Sequence, residues 1–287
     1  MTSALNNGFI AIHKQQDWTS HDVVAKLRGI LGTKKIGHTG TLDPLATGVL
    51  VCAVGQATKL VEYMQGCDKE YIATFELGKT SDTYDSTGEL RIESSELRIH
   101  LEDIQKVIQK YIGKIEQIPP AFSAIKIQGK KAYELARKGK KVDMPKRIVE
   151  IQLFDIISYE YPFLKVRIMC SGGTYIRSLA HDIGQDLGVG AIMTALERTR
   201  VGKFRLQDSV FLEEVNSKYL IWNANICNLP SVELSDNQLI DLQQGKYISL
   251  DCRHDRVMLG IQNTIPKVIL ESREDLWKTR KMLLIDN

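Results

Sequence analysis

The sequence predicts an α/β (α+β) fold with a mixed, mostly antiparallel sheet flanked by helices. Segments with helical apolar spacing and segments with strand-like alternation are interspersed along the chain. Two long strand-like segments, Ile148–Ser158 and Phe163–Cys170, are separated by a turn around Tyr161-Pro162, so they can pair as an antiparallel hairpin. A regular alternation of strand and helix, the mark of a parallel sheet, is not seen.

The first 65 residues predict a strand, a helix, a second strand and a short helix. The first strand is Phe9–His13, and the helix begins at Ser20, whose hydroxyl can cap it, and ends at Gly32. The apolar run Val49–Val54 is typical of a buried strand, and a short helix around Thr58–Met64 follows it.

The middle of the chain adds a strand, a polar loop and two helices. Alternation predicts a strand at Glu70–Leu77, followed by a polar loop at 80–88. Apolar residues from Ile104 to Tyr111 mark a helix closed by Gly113, and Tyr175–Leu187 predicts a second helix with a buried stripe.

After about Leu212 the pattern changes to short elements. Val232–Gly245 predicts a short capped helix with a glycine C-cap. Short strands are expected around Ile248, Val257–Ile261 and Lys267–Leu270. We therefore predict a main domain at 1–212 and a small β-rich module at 213–287, which is too small to bury a sufficient core unless it packs on the main domain.

The composition of the 287-residue chain predicts a soluble cytoplasmic protein. The net charge of +3, from 38 basic and 35 acidic residues, is too small to indicate a nucleic-acid partner by itself. Five scattered cysteines without a C-x-x-C pair argue against a disulfide framework and a zinc site, and favour a reducing compartment. The segment Met1–Ile10 has no export signal, and no apolar run approaches the roughly 20 residues that span a bilayer.

One loop, Gly37–Leu50, places the carboxylate of Asp43 among glycines, threonines and Pro44 directly before a buried strand. An acid on a tight loop at the edge of a strand is held in place and can be directed at a ligand. An isolated Asp-Pro pair is more often an Asx-turn that starts a bend, so the loop alone does not decide between the two interpretations.

The segment Lys126–Arg147 contains nine basic residues and only two acidic ones, Glu134 and Asp143. Neutralising several phosphates with such a segment gives a salt-sensitive affinity for nucleic acid. A solvated surface loop has the same composition, and charge density does not distinguish the two. We refer to residues 120–147 as the basic arm.

Six segments, the Asp43 loop among them, occur in order and carry a resemblance to a known family. They are Gly37–Gly48, Ala57–Leu60, Lys69–Tyr71, Thr83–Gly88, Ile118–Lys126 and Cys170–Ser178. The chain resembles the TruB-type tRNA pseudouridine synthases from about Gly8 to Val210, and its C-terminal module resembles their PUA-like domain more weakly. It departs from the family at Lys14-Gln15-Gln16-Asp17, where Lys-Pro-x-Gly is usual.

The resemblance implies a pseudouridine synthase fold and isomerisation of uridine 55 in the T loop of tRNA. It also implies that the target base is flipped out of its stack, that no metal or cofactor is needed, and that the partner is the tRNA T-arm stem-loop. No obligatory protein partner is expected and the chain should be a monomer that does not bind membranes. By unfolding and releasing tRNA elbows, the protein would also help tRNA to fold, which is an accessory activity.

The same resemblance assigns the site residues. Asp43 is implied as the nucleophile, Arg177 as its cationic partner, and Tyr71 as the aromatic residue next to the target base. His38 is implied to fill the space left by the extruded nucleotides. Asp85 is implied to join the network of Arg177. The other residues implied to bind the substrate are Lys59, Lys126, Lys130, Tyr175 and Leu196.

Three alternatives stay open from the sequence. A non-catalytic RNA-folding protein would keep the basic arm but would not need Asp43, Tyr71 and Arg177 together. A subunit of a guide-RNA complex, as in dyskerin-type relatives, would carry longer basic extensions. An unrelated hydrolase with Asp43 as nucleophile would leave the basic arm unexplained.

Overall fold

A computed structural model describes residues 7–93, 99–123, 125–127, 129–139, 142–251 and 256–283. The strands in chain order are β1 (Gly8–Lys14), β2 (Ile36–His38), β3 (Thr47–Val54), β4 (Lys69–Leu77), β5 (Lys79–Ser81), β6 (Leu90–Ile92), β7 (Gly113–Gln117), β8 (Lys126–Ile127), β9 (Lys130–Lys131), β10 (Arg147–Glu160), β11 (Phe163–Cys170), β12 (Ala191–Val201), β13 (Phe204–Arg205), β14 (Ser231–Glu233), β15 (Val257–Gln262), β16 (Ile265–Arg273) and β17 (Leu276–Met282). The α-helices are α1 (Ser20–Leu31), α2 (Val61–Gln65), α3 (Leu101–Gln109), α4 (Ala132–Ala136), α5 (Ile176–Asp186) and α6 (Asp236–Gln243).

The described residues form two compact units. The first unit consists of the residues up to Cys67 together with those from Val201 onward, and the second unit is Asp68–Arg200. The domain boundary expected near Leu212 stays a prediction. Within the described residues, no helix is both long and apolar enough to cross a membrane.

The first unit contains two groups of paired strands that share a hydrophobic core. Strand β3 pairs antiparallel with β1 and with β2, and β14-β15-β16-β17 form a four-stranded sheet. Strand β14 is parallel to β15, whereas β15, β16 and β17 pair antiparallel. Val51, Leu60, Leu259 and Ile269 are all at most 1% exposed and belong to one cluster, so the C-terminal strands complete a core begun by the N-terminal ones.

The predicted start of α1 at Ser20 is confirmed, but the predicted capping residue is wrong. Thr19 is the N-cap, and Thr19 and Asp22 form a capping box. The Ser20 hydroxyl, predicted as the cap, bonds instead to the backbone of Leu42. Gly32 ends the helix with φ 61°, the left-handed conformation that glycine adopts without a steric cost.

In the second unit the main sheet runs in the order β12-β4-β11-β10-β7. Strands β4 and β11, β10 and β11, and β7 and β10 pair antiparallel. The hairpin predicted around Tyr161-Pro162 is confirmed, since β10 ends at Glu160 and β11 begins at Phe163. With β14 parallel to β15, the prediction of a mixed, mostly antiparallel architecture is confirmed.

Three expectations need correction. Strand β12 was not predicted, because its second half carries Glu197, Arg198 and Arg200, and charged residues at these positions do not give the apolar pattern of a strand. Arg198 is nevertheless only 2% exposed. Helix α3 ends at Gln109, one turn before Gly113, which begins β7. The predicted helix Val232–Gly245 is confined to α6, since Ser231–Glu233 forms β14 and Ser235 is the N-cap.

Candidate active site

The backbone of the Asp43 loop is fixed on both sides of the aspartate. The Leu42 N–H donates to the Ser20 hydroxyl at 2.8 Å, and this hydroxyl donates back to the Leu42 carbonyl at 3.1 Å. The Ala46 N–H donates to the Asp43 carbonyl at 3.0 Å and closes a tight turn. Leu42 and Ala46 are buried, whereas Asp43 is partly exposed. The carboxylate is thus carried by an anchored loop.

A buried lysine ties this loop to the end of β1. Lys14 is 0% exposed, and its ammonium donates to the carbonyls of Gln15 (2.9 Å), Trp18 (2.7 Å) and Pro44 (3.1 Å). Asp17 has φ 67° and donates its N–H to the Pro44 carbonyl at 2.8 Å. The turn therefore forms without the family's proline and glycine, because Asp17 adopts the left-handed conformation itself.

Two other predicted contacts lie in the first unit. His38 is the last residue of β2, pairs in register with Cys52 on β3 and is partly exposed. The Lys59 ammonium donates to the Met282 carbonyl at 2.6 Å, so it already binds the end of β17. Burial, aided by the nearby charges of Lys35 and Lys281, lowers the pKa of Lys59. Its predicted contact to a phosphate stays a prediction.

In the second unit, Arg177 lies in the first turn of α5 with 6% exposure. One terminal nitrogen of its guanidinium lies 3.4 Å from an Asp85 carboxylate oxygen and donates to the Thr83 carbonyl at 3.1 Å. The other terminal nitrogen donates to the Phe122 carbonyl at 3.1 Å. Arg177 is therefore a buried cation that joins residues 81–87, referred to below as the 81–87 loop, to the start of the basic arm.

Asp85 is the buried counter-ion of Arg177, with 3% exposure. Its second oxygen accepts hydrogen bonds from the Thr83 hydroxyl (2.7 Å), the Thr87 hydroxyl (2.6 Å) and the Thr87 N–H (2.9 Å). A buried charge is stable when it is paired and fully hydrogen-bonded, and this arrangement meets both conditions. The Thr-x-Asp-x-Thr spacing at 83–87 was the sequence signal for this loop, and the role of the two threonines was missed.

The three predicted pocket residues of this unit lie on separate elements. Tyr71, 6% exposed, is on β4 opposite Ile168, and Leu196, 8% exposed, is on β12. Tyr175 precedes α5, and both its N–H and its carbonyl bond to the side-chain amide of Gln117, at 2.8 and 3.0 Å. This pair of hydrogen bonds, which the sequence did not predict, fixes the backbone at the start of α5, the helix that carries Arg177.

The basic arm contains two antiparallel strands of two residues each, β8 and β9, followed by α4. Lys126 and Lys130 are exposed. The ring of Tyr133 is flanked by Lys131 and Arg137, whose charged groups lie 5.5 and 5.4 Å from its centroid. Lys140 and Lys141, part of the predicted basic cluster, lie outside the described residues.

The predicted site residues are thus divided between the units. His38, Asp43 and Lys59 belong to the first; Tyr71, Asp85, Lys126, Lys130, Tyr175, Arg177 and Leu196 belong to the second. Of these residues, Asp85 and Arg177 form a buried ion pair within the second unit. Within the described part of the chain, no group of three or more potential ligands could hold a metal ion. The described cysteines are buried and form no disulfide with one another, and Cys252 lies outside the described residues.

Comparison with known proteins gives consistent matches along the chain. Residues 28–176 match the TruB family pseudouridylate synthase (N terminal domain), and residues 177–234 match the tRNA pseudouridylate synthase B C-terminal domain. The chain is 41% identical over 292 residues to tRNA pseudouridine synthase B of Streptococcus gordonii, which covers 97% of this chain and 100% of that protein. It is 48% identical over 200 residues to tRNA pseudouridine synthase B of Fusobacterium nucleatum, across 70% of this chain and 69% of that protein.

A solved structure shows the same fold at low sequence identity. A chain in the crystal structure of a Cbf5-Nop10-Gar1 complex superimposes with a TM-score of 0.74 at 23% identity, covering 98% of this chain and 86% of that chain. This likeness concerns the fold alone, and it confirms the predicted α/β architecture with a β-rich C-terminal module.

Proposed function

The chain belongs to the TruB family of pseudouridylate synthases, and we propose that it isomerises uridine 55 in the T loop of tRNA with Asp43 as nucleophile. As a member of this family it is a pseudouridine synthase, an isomerase that converts uridine in tRNA to pseudouridine. The position in the T loop, base flipping and the role of Asp43 are the proposed parts.

The reaction moves the glycosidic bond without oxidation. The N1–C1′ bond breaks, the base turns and C1′ bonds to C5, while C5 loses its proton and N1 gains one. A carboxylate that bonds covalently to the substrate divides one difficult step into two easier ones. Attack at C1′, attack at C6 and assistance of a glycal-like route are all compatible with an aspartate in this role.

The observation that carries the proposal is the anchored loop of Asp43. Ser20 and Lys14 hold its backbone through bonds to Leu42 and Pro44, and neither anchoring group is exposed by more than 3%. A nucleophile held in a fixed orientation meets its substrate without paying for that ordering in each turnover. The loop is thus built to direct one carboxylate, which an Asx-turn alone would not require.

We assign the supporting roles by the same family membership. Tyr71 lies next to the target base, Arg177 is the cation that serves the reaction with Asp85 as its counter-ion, and Leu196 and Tyr175 line the base pocket. A base inside a folded loop has to leave its stack before an enzyme reaches it, and His38 fills the space that is vacated.

We place the RNA on the exposed cations of the basic arm. Lys126 and Lys130 contact phosphates, and the module at 213–287 extends the surface along the tRNA. RNA loops are recognised mostly through shape and splayed bases, so the T-arm stem-loop is a sufficient substrate. The enzyme acts as a monomer without a protein partner. Its binding to the T arm gives it an accessory tRNA-folding activity.

The test is release of tritium from a T-arm stem-loop labelled at uridine C5. We expect release by the wild type and none above background by Asp43→Asn, with RNA affinity retained. Asp17→Asn is the matched control, because it removes an exposed carboxylate at a left-handed position that asparagine tolerates. Release by Asp43→Asn at the wild-type rate would contradict the assignment of the nucleophile.

A further inference from the structure

A ring stack joins the Arg177 helix to the Asp85 loop beside their ion pair. The rings of Tyr84 and His181 lie with their centroids 3.9 Å apart and their planes at 11°. Tyr84 directly precedes Asp85 in the loop. His181 follows Arg177 by four residues on α5, so Arg177 and His181 lie on one face of that helix. The same loop and helix are therefore connected twice, one helical turn apart.

The backbone of Tyr84 is held in a conformation that tyrosine rarely adopts. Its φ is 61°, in the left-handed region. The Met193 N–H donates to the Tyr84 carbonyl at 3.0 Å, and the Ser86 N–H donates to the Met193 carbonyl at 3.1 Å, so β12 fixes the loop on both sides of Asp85. Strained backbone persists where its surroundings determine it, and it concentrates at functional sites.

A smaller residue would satisfy this backbone conformation better than tyrosine. Glycine and asparagine adopt the left-handed region more readily, but neither has a ring to place against His181. The observed residue thus accepts backbone strain and supplies an aromatic contact. The ring is the part of Tyr84 that the loop geometry does not explain.

The stack joins two rings that are neutral near pH 7. Burial lowers the pKa of His181, while burial and the charge of Asp182 raise the pKa of Tyr84. The buried Nδ1 of His181 makes no hydrogen bond with the residues that the structure describes. The imidazole therefore acts here through its face and not through this nitrogen.

We propose that Tyr84 and His181 are a positioning pair for the isomerase, whose stack sets the spacing between the 81–87 loop and α5 and thereby the orientation of the Arg177 guanidinium. The inference rests on the proposed function, in which Arg177 serves the reaction at uridine. Neither ring needs to touch the RNA. A displacement of about 1 Å at a catalytic group lowers a rate by up to about 100-fold, so a modest loosening of the loop is enough.

The experiment compares His181→Ala with His181→Phe, which keeps an aromatic face. For tritium release from the T-arm stem-loop, we expect alanine to lower kcat about tenfold with KM changed less than about twofold, the size expected for loss of an aromatic pair. Phenylalanine should restore kcat to within about threefold of the wild type. Gln185→Ala, an exposed substitution on the same helix, is the control and should leave both constants unchanged.

A second readout reports on the loop without requiring activity. The Thr87 N–H donates to the Asp85 carboxylate at 2.9 Å, so its hydrogen exchange measures whether the loop stays closed around Asp85. His181→Ala should speed this exchange at least tenfold, whereas His181→Phe and Gln185→Ala should not. If His181→Ala does not fold, Tyr84→Asn and Tyr84→Phe replace the pair, because asparagine keeps the backbone conformation and removes the ring.

The outcomes separate this inference from the proposed function. Wild-type kcat and wild-type exchange in the ring-free variants would overturn the positioning pair, as would equal losses with alanine and phenylalanine. A wild-type protein that releases no tritium would contradict the proposed function instead, and the exchange data would still decide whether the stack holds the loop.

Discussion

At the scale of single residues, Arg177 is a buried cation and differs in this from an ordinary surface arginine. Asp85 and two backbone carbonyls hold its guanidinium at 3.1 to 3.4 Å. Alanine at this position leaves Asp85 as a buried carboxylate without its cation, which is costly unless it takes up a proton. We therefore expect losses in both stability and rate.

For Arg177→Ala we predict a fall in kcat of about 100-fold or more with tRNA binding largely retained, because the lost charge acts in the transition state. Single-turnover tritium release and filter binding measure the two quantities. Arg167→Ala is the control, since Arg167 forms an exposed ion pair with Asp155 at 2.7 Å. Normal turnover by Arg177→Ala would contradict the role given to this charge.

Lys14 gives a second prediction at this scale. Lys14→Met keeps the length of the side chain but removes the donor to three carbonyls, the Pro44 carbonyl among them. A hydrogen bond to a charged group contributes roughly 1.5–3 kcal/mol, so loss of these part-buried bonds should lower the free energy of unfolding by about 2 kcal/mol or more. Urea unfolding measures it, and Lys26→Met, an exposed change on α1, should have little effect. Equal stability of the two variants would argue against an anchoring role.

At the scale of elements, α5 approaches β12 too closely for any side chain at Gly184. A Cβ there would lie 2.1 Å from the Ala191 nitrogen, so the backbone would have to move. We predict that Gly184→Ala lowers the free energy of unfolding by about 3 kcal/mol, the upper range for overpacking. Gly29→Ala is the matched control on α1, where nothing lies within 4 Å, and it should be neutral or stabilising. Calorimetry that ranks the two variants in the opposite order would show that the helix can shift.

Asp182 on α5 gives a pH prediction. Burial, with the nearby charge of Asp186, raises the pKa of Asp182 from 3.8 to about 6. The unfolded chain releases this proton near pH 4, so the folded state binds more protons between pH 4 and 6 and stability falls as pH rises through that window. Asp182→Asn should flatten this dependence and add about 1 kcal/mol at pH 7, after discounting for partial exposure. Unfolding curves at pH 4, 5, 6 and 7 test it, and a wild-type slope in Asp182→Asn would contradict it.

The elements also show what a single sequence could and could not reveal. Apolar periodicity located α1, β3, β4, the β10–β11 hairpin and α5 within a few residues. It missed β12, because Arg198 and its neighbours are polar residues in a buried strand whose charges are satisfied only in the folded protein. It placed the start of α1 correctly at Ser20 but assigned the cap to Ser20, since a serine before an apolar stripe has the same pattern as a cap. Only the fold shows that Thr19 is the cap and that the Ser20 hydroxyl holds Leu42.

The candidate site was predictable to the extent that its residues occur in local motifs. The resemblance carried Asp85 and Arg177, and the structure shows them as a buried pair. Gln117, Lys14 and the Tyr84–His181 stack act through contacts between segments far apart in the chain, and such contacts leave no local pattern. The sequence thus identified motif residues better than the residues that hold them.

At the scale of the whole molecule, the small net charge of +3 conceals an uneven distribution, with exposed lysines concentrated in the basic arm. Replacing Lys126, Lys130 and Lys138 by glutamine should weaken tRNA binding and reduce the slope of log Kd against log salt by about two, since each lost phosphate contact removes about 0.7 to 0.9. Lys106→Gln, which removes a lysine paired with Asp103 at 3.3 Å, is the control. An unchanged slope in the triple variant would remove the arm from the RNA interface.

We propose that this protein makes pseudouridine at one position of tRNA and that it requires Asp43 to do so. The most direct test of this proposal is nucleotide-resolution mapping of pseudouridine in an unmodified tRNA transcript after incubation with the wild type, Asp43→Asn or Asp17→Asn. We predict one new pseudouridine, at position 55, with the wild type and with Asp17→Asn, and none with Asp43→Asn. Modification at a different uridine, or at position 55 by Asp43→Asn, would contradict the account.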